Sequence, residues 1–312
     1  MTTVDRRIRA LRPPKPPVDA YRAHGTAVDV ERRPDGTLER ALTIFLAGAE
    51  CPFTCSFCDL WRWTIEGPTP PGALPRQVAD VLEAFDGALP DRVKLYNASN
   101  FFDRRAVPPE DLPALASLGA RFRGVTVESH ASTVGPATVA FARSIPGRLE
   151  VAMGLETIHP AAAARINKRL DVDRFDRAAA YLAAHDVDLR VFVLLGAPSV
   201  PVAESVEWTV RAVEHAAARG AAMACVIPVR GGNGEMERLA ALGEFTPPTL
   251  AQLEDVLDRC LAFGPTVVTV DLWDAARLPA CEVCRSARIE RLGRINVTGH
   301  AEPRIRCEAC GA

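Results

Sequence analysis

Residues 50–58 read Glu50-Cys51-Pro52-Phe53-Thr54-Cys55-Ser56-Phe57-Cys58, with three cysteines spaced C-x3-C-x2-C. They follow an apolar run, 41–49, that is typical of a β-strand. Three thiolates on one loop cannot complete a tetrahedral zinc site, which needs four ligands. They can hold a cubane 4Fe–4S cluster by three of its irons and leave the fourth iron open. The loop therefore predicts an iron–sulfur centre with an open metal position. The alternatives are a zinc knuckle, or three cysteines buried in a core.

Strand-like apolar runs alternate with helical patterns over most of the chain. The predicted strands are 42–49, 92–98, 124–129, 149–155, 189–195 and 222–229, with a further short strand at 266–270 that covers an edge. The predicted helices are 75–86, 109–120, 134–144, 173–185, 202–219 and 249–262. Continuous apolar strands separated by helices are typical of a parallel α/β sheet, and six such units favour an incomplete barrel. In barrels of parallel strands the active site lies at the carboxyl ends of the strands.

A second group of cysteines lies at the end of the sequence, as Cys281-x2-Cys284 and Cys307-x2-Cys310. Two such pairs predict a zinc ribbon with a hairpin between them, and an auxiliary iron–sulfur cluster is the alternative. About thirty residues cannot build a core, so we expect the metal to supply the folding energy. The arginines at 288, 291, 294, 304 and 306 are either an RNA-binding face or an ordinary solvated surface.

Length and pattern divide the 312 residues into an N-terminal extension, 1–40, a core, 41–270, and a four-cysteine module, 271–312. The extension is polar and proline-rich, which predicts an extended arm that wraps the core. The alternative for this segment is a basic arm that contacts a nucleic acid.

Charge and cysteine usage limit the functional classes. The net charge of −2 excludes a global basic field for nucleic acid. The nine cysteines are clustered as metal ligands are, so we expect a reducing, cytoplasmic location. No signal peptide and no run of transmembrane length is present, so no membrane partner is expected. No pattern indicates an oligomeric state.

The three-cysteine loop resembles the signature of the radical S-adenosylmethionine (SAM) superfamily. That resemblance implies a partial (β/α)6 TIM-like barrel in which Cys51, Cys55 and Cys58 hold a 4Fe–4S cluster. It further implies that SAM chelates the open iron and is cleaved reductively to a 5′-deoxyadenosyl radical, which abstracts hydrogen from an organic substrate. A flavodoxin- or ferredoxin-type reductant follows from the resemblance alone.

The resemblance also implies SAM contacts. Phe57 stands where the superfamily has an aromatic residue beside the adenine, and Gly196 lies where the fifth strand passes it. Ser99 and Asn100 replace the Gly-Gly-Glu-Pro-like stretch that receives the SAM amino group. Either Lys168 or Arg169 corresponds to the basic residue near the SAM carboxylate.

Two glutamates, Glu128 and Glu156, end otherwise apolar strands. A carboxylate in a barrel mouth is costly without a partner, so each is expected to meet a cation or a hydroxyl. Bound SAM offers both, through its ammonium group and its ribose. The alternative is an ion pair with a neighbouring arginine.

Stretches 93–103, 125–129 and 149–157 resemble, in order and spacing, the branch with the elongator catalytic subunit, the methylthiotransferases and the archaeosine lyase. This implies a modified transfer RNA base as substrate, and tailoring of a small molecule is the alternative. Two more distant hypotheses are a non-enzymatic zinc-binding adaptor and an electron-transfer protein.

Overall fold

The computed structural model describes residues 1–311. The strands are β1 Gly25–Arg32, β2 Leu38–Phe45, β3 Arg92–Tyr96, β4 Gly124–Glu128, β5 Arg148–Glu156, β6 Asp188–Leu195, β7 Met223–Pro228 and β8 Val267–Val270. The helices are α1 Thr3–Leu11, α2 Ala73–Ala84, α3 Leu112–Gly119, α4 Pro136–Ser144, α5 Pro160–Arg165, α6 Val172–Ala183, α7 Ser205–Ala218, α8 Glu235–Ala241, α9 Leu250–Cys260 and α10 Arg285–Thr298. Short 3-10 turns cover Leu60–Trp63, Pro109–Asp111, Ala131–Thr133, Val202–Glu204 and Ala275–Arg277.

All eight strands form one sheet in chain order, β1 to β8, which curls into a half-barrel. The seven strands from β2 to β8 are parallel to one another, as predicted, because the chain between successive strands crosses over through helices. The α/β partial-barrel prediction is confirmed, including the short edge strand β8. Within residues 1–311, no helix combines the length and apolar character that a membrane crossing needs.

The N-terminal segment differs from the predicted extended arm. Residues 3–11 form helix α1, capped by Thr2 and Asp5, and residues 25–32 form β1, which pairs antiparallel with β2. The polar composition hid this strand, since most of its residues are exposed at the sheet edge and supply little apolar pattern.

Buried charges fill the barrel interior where the parallel strands begin. Glu150 accepts hydrogen bonds from Arg190 Nε at 2.7 Å and from Arg33 Nη1 at 2.9 Å. Glu31 on β1 pairs with Arg190 and with Lys94 Nζ at 2.9 Å. Burial alone would raise the pKa of Glu150, but the charges of Arg190 and Arg33 lower it to about 2. This ionic layer closes the amino-terminal end of the barrel and leaves the carboxyl end for a site.

Helix α10 lies between the two open edges of the half-barrel and contacts both β1 and β8. The Asn296 side chain donates to Val270 O at 2.8 Å and accepts from Val270 N at 2.9 Å, which satisfies the free edge of β8. Gly299 ends the helix at φ +68°, close to Arg32, where a Cβ would collide with the guanidinium. The helix thus covers the lateral opening of the barrel.

The sequence predicted a ribbon hairpin between the two C-terminal cysteine pairs. This prediction is wrong, because the chain between the pairs forms helix α10. Leu292 and Ile295 point from this helix into the main core, and Arg291 pairs with Asp258 of α9 at 2.6 Å. The module is packed against the barrel, so its folding energy does not come from the metal alone. Apolar residues at helical spacing carried this signal in the sequence.

Candidate metal centre and cofactor site

The three cysteines of the loop after β2 lie at the carboxyl end of the half-barrel. All three are free thiols, and each is partly buried. Burial raises the pKa of Cys55 to about 12 and raises that of Cys58 as well. A metal therefore has to displace protons here. The charge of Lys168 acts against the effect of this burial at Cys51 and Cys55, whereas the charge of Glu156 raises the pKa of Cys55 further.

One carboxylate of helix α1 fixes this loop. Asp5 Oδ1 accepts from Thr54 Oγ1 at 2.6 Å and from Asn167 Nδ2 at 3.0 Å, and Asp5 Oδ2 accepts from Arg169 Nη2 at 2.5 Å. The hydrogen bonds from Thr54 and Asn167 hold the pKa of Asp5 well below its usual range. Thr54 lies between the first two cysteines. Asp5 therefore joins the N-terminal helix, the cysteine loop and the loop after α5.

Two of the predicted SAM contacts neutralise each other. Lys168 Nζ lies 2.6 Å from Glu156 Oε1, and both side chains are largely buried. Burial alone would lower the pKa of Lys168, but the Glu156 carboxylate raises it above its usual value. Gly154 leaves room for this pair, since a Cβ there would lie 1.9 Å from Glu156 Oε1. For Glu156, the ion-pair alternative therefore describes the structure, with lysine as the partner.

Arg169 and Lys168 differ in what they face. Arg169 pairs with Asp5 and is 45% exposed, whereas only 12% of the Lys168 side chain is exposed. Of the two basic candidates, Lys168 is the one whose charge acts on the cysteines.

The segment after β3 brings polar groups to the first cysteine. Asn100 Nδ2 donates to Cys51 Sγ at 3.5 Å, and Asn100 Oδ1 accepts from His130 N at 2.8 Å. The Ser99 hydroxyl and the Asn97 amide group are buried without a hydrogen-bond partner in residues 1–311. Buried polar groups are normally satisfied, so these atoms indicate a missing polar ligand beside the cysteine loop.

Glu128 ends β4 in the same mouth and forms no ion pair with the described residues. Burial raises its pKa to about 7, although the charge of Lys168 acts in the opposite direction. Near neutral pH this group is thus able both to accept and to donate a hydrogen bond. A cation or a hydroxyl placed here would meet an unpaired carboxylate.

Phe57 and the chain beside Gly196 meet in a small apolar cluster. Phe57 packs against the cluster that contains Leu194 and Ala197. Gly196 has φ +76°, and a Cβ on it would lie 2.9 Å from Pro248 Cδ. The structure therefore brings the two predicted adenine contacts to the same end of β6.

The glycine-containing loop after β7 is tied to the cysteine loop. Asn233 Nδ2 donates to Ser56 O at 2.7 Å and to Cys58 O at 3.3 Å. This contact follows from no sequence motif, because 177 positions separate Asn233 from Ser56. The loop after β7 therefore holds the cysteine loop in place through these two hydrogen bonds.

Sequence reasoning also missed His130. Its ring stacks on Phe53 of the cysteine loop, with ring centroids 4.1 Å apart. Its Nε2 lies 3.2 Å from Lys168 O, and Ser132 N donates to its Nδ1 at 3.1 Å. Burial and the charge of Lys168 lower its pKa to about 4, so the ring is neutral near pH 7. A polar residue directly after a predicted strand was the signal that could have found it.

The four C-terminal cysteines form one compact group, as predicted. The sulfur atoms of Cys281, Cys284, Cys307 and Cys310 all lie within 4.8 Å of one another. Cys284 and Cys310 are 3.9 Å apart. The backbone N–H groups of Cys284 and Val283 lower the pKa of Cys281 to about 7, which favours the thiolate form that a metal binds. The group can bind a metal ion.

Comparison with known proteins identifies the fold that carries this site. No protein-family model matches the sequence, and no curated protein matches it. Among solved structures, a radical SAM methyltransferase from Sphaerobacter thermophilus is similar, with a TM-score of 0.52 and 16% identity over 79% of this chain and 74% of that chain. The chain shares the fold of radical SAM enzymes. The resemblance inferred from the sequence is thereby confirmed at the level of the fold.

Two further structures are similar to this radical SAM fold. An archaeal Elp3 from Methanocaldococcus infernus gives a TM-score of 0.52 and 13% identity over 76% of this chain. Methylornithine synthase gives a TM-score of 0.51 and 14% identity over 71% of this chain. The matches span 60% of the Elp3 chain and 62% of the synthase chain.

Proposed function

We propose that this protein is a radical SAM enzyme. The observation that carries the proposal is the set of three free cysteines, Cys51, Cys55 and Cys58, on the loop after β2, at the open end of a half-barrel of radical SAM type. A 4Fe–4S cluster held there would reduce bound SAM to methionine and a 5′-deoxyadenosyl radical that abstracts hydrogen from a substrate. A flavodoxin- or ferredoxin-type reductant would supply the electron.

The residues of this chain would divide the binding of SAM. Asn100 and Ser99 would meet its amino group, because Ser99 has an unpaired buried hydroxyl. Glu128, which forms no ion pair with the described residues, would accept a hydrogen bond from a ribose hydroxyl or from the ammonium group of SAM. Phe57 and Gly196 would enclose the adenine.

The basic residues after α5 would take structural and electrostatic roles. Lys168 would lie beside the cluster thiolates as part of a neutral pair with Glu156, and its ammonium group would donate a hydrogen bond to the SAM carboxylate. Arg169 would brace the cysteine loop through Asp5.

Tailoring of a small organic molecule is the substrate class that the structure favours. Four of the five arginines that would form an RNA-binding face are engaged in ion pairs, and Arg306 is the exception among the described residues: Arg288 pairs with Glu254, Arg291 and Arg304 with Asp258, and Arg294 with Glu302. A neutralised guanidinium contributes little to phosphate binding. A modified transfer RNA base remains the second candidate, supported by the sequence resemblance.

We further propose that the C-terminal cysteines bind one zinc ion. Four sulfurs at about 2.3 Å from zinc lie about 3.8 Å apart at the corners of a tetrahedron. The 3.9 Å separation of Cys284 and Cys310 fits this geometry, whereas a cubane would spread its ligands further. Nine free thiols without a disulfide support the expected cytoplasmic location.

The proposed function is tested by anaerobic reconstitution with iron and sulfide, followed by SAM and dithionite and an assay for 5′-deoxyadenosine. The native protein should form it, and a variant with Cys51, Cys55 and Cys58 changed to alanine should not. Cys260→Ala is the matched control, because this thiol is buried in the core away from the loop. A colourless native protein that contains only zinc would refute the enzyme and support the adaptor hypothesis.

Elemental analysis tests the zinc proposal separately. The native protein should carry one zinc, and Cys284→Ser should lose it without losing the iron of the loop. Iron bound in place of zinc at the four cysteines would support an auxiliary cluster instead.

A further inference from the structure

A cavity of about 490 Å³ lies between the N-terminal segment and the cysteine loop. Arg9, Arg12 and Lys15 line one side, and Glu50 and Cys51 belong to the other. The volume lies within the range of about 300–1,000 Å³ that is usual for small-ligand pockets. None of the side chains assigned above to SAM lines it, although the proposed cluster ligand Cys51 does, so the cavity lies beside the proposed SAM site.

Positive charge predominates in the walls. The charged wall residues are the cations Arg9, Arg12, Lys15 and Arg105 and the carboxylates Glu50 and Glu66. Glu50 is shared, since Arg9 lies 3.0 Å and Arg12 2.9 Å from the same oxygen. The described structure contains no ion pair to Lys15 or Arg105. The cavity therefore has an excess of two positive charges in a protein whose net charge is −2.

Two of the donors, on Arg12 and Lys15, are held in place before any ligand arrives. The Arg12 guanidinium lies 4.7 Å from the centre of the buried Trp61 ring, and its Nε is buried without a hydrogen-bond partner. Lys15 Nζ donates to Thr64 O at 3.1 Å, which fixes the end of a flexible side chain. Preorganised guanidinium and ammonium donors match the oxygens of phosphate groups. Fixing them in advance lowers the entropic cost of binding.

We propose that this cavity binds a phosphate-bearing small molecule. Arg12, Lys15 and Arg105 supply donors from three separate side chains, and a phosphate group offers three acceptor oxygens. Because Cys51 lies in the wall, the ligand would be positioned against the cysteine loop. The site needs neither the cluster nor SAM, so its failure and the failure of the proposed function are distinguishable.

Calorimetry on the zinc-loaded full chain, with and without reconstituted iron, tests the site with inorganic pyrophosphate as probe. The native protein should bind it, more weakly as salt increases. Lys15→Gln with Arg105→Gln should weaken binding at least about tenfold, since each change removes a charged donor. Arg104→Gln is the matched control, because Arg104 is an exposed neighbour outside the cavity wall, and it should bind as the native protein does.

The outcomes separate the sources of the anion. Citrate should bind more weakly than pyrophosphate, and equal or tighter citrate binding would assign the cavity to carboxylates and overturn the phosphate proposal. No pyrophosphate binding at millimolar concentration would also overturn it, as would equal binding by the double variant. Binding of transfer RNA that depends on Lys15 and Arg105, without binding of pyrophosphate, would instead make this an RNA surface. Unchanged melting temperatures of the variants would exclude misfolding.

Discussion

Replacing Asp5 with alanine should loosen the cysteine loop from a distance. Asp5 is 3% exposed and accepts hydrogen bonds from the Thr54 hydroxyl, the Asn167 amide and the Arg169 guanidinium. It also forms the capping box of α1 with Thr2. No residue of this group is a proposed metal ligand, so an effect on iron binding would have to act through the shape of the loop.

The expected loss of stability is about 3 kcal/mol. The Thr54 hydroxyl, 2% exposed, would lose its acceptor at a cost of roughly 1–3 kcal/mol. The lost cap adds about 1 kcal/mol. Arg169 is 45% exposed and would turn to water, so its ion pair adds at most about 1 kcal/mol. Asn167 keeps its bond to Thr54 O at 2.9 Å and adds little.

Urea unfolding of the iron-free protein measures the free energy of unfolding. The amount of iron retained after gel filtration of the reconstituted protein measures how firmly the cysteine loop holds iron. Asp5→Ala should unfold at lower urea with an unchanged slope and should retain less iron than the native protein. Asp19→Ala is the matched control, because Asp19 is exposed and accepts one backbone hydrogen bond, from Tyr21 N. The reasoning is refuted if Asp5→Ala matches Asp19→Ala in both midpoint and iron content.

Three further predictions concern buried charge. The pKa of Glu128 is raised to about 7, so the native state keeps this proton to a higher pH than the unfolded chain does. The free energy of unfolding of the iron-free protein should therefore decrease as the pH rises from about 4.3 to 7. Glu128→Gln should therefore unfold at higher urea than the native protein at pH 8, with little difference at pH 4. The His130 pKa is lowered to about 4, so stability should be lost as the pH falls from about 6.5, by up to about 3 kcal/mol. His130→Asn should reduce this acid dependence in the same titration, and an unchanged dependence would contradict the assignment. Arg291→Ala removes a buried guanidinium from Asp258 and Glu254, which keep Arg304 and Arg288 as partners, so calorimetry should record about 1.5–3 kcal/mol of destabilisation, whereas Arg294→Ala, which removes an exposed ion pair, should cost under about 1 kcal/mol.

Features that depend on near neighbours were predictable from the sequence. The three cluster cysteines lie within eight consecutive residues, so their spacing is visible without a structure. Six parallel strands and β8 followed from apolar runs between helical patterns, since each buried strand records its environment locally. The two C-terminal cysteine pairs were visible in the same way, and their gathering into one group was predicted correctly.

Features that depend on how distant elements pack were decided by the tertiary structure. The sequence could not reveal that α10 would cover the lateral opening, or that Asp5 would reach Asn167 across 162 positions. Nor could it reveal that Glu156 would pair with Lys168, because a charge pattern does not specify which charges meet. By itself the sequence determined the spacing of the candidate cysteine ligands and the strands, which rest on local spacing and apolar pattern. Only the tertiary structure decided the partners of the buried charges, because they depend on where separate elements bring their side chains together.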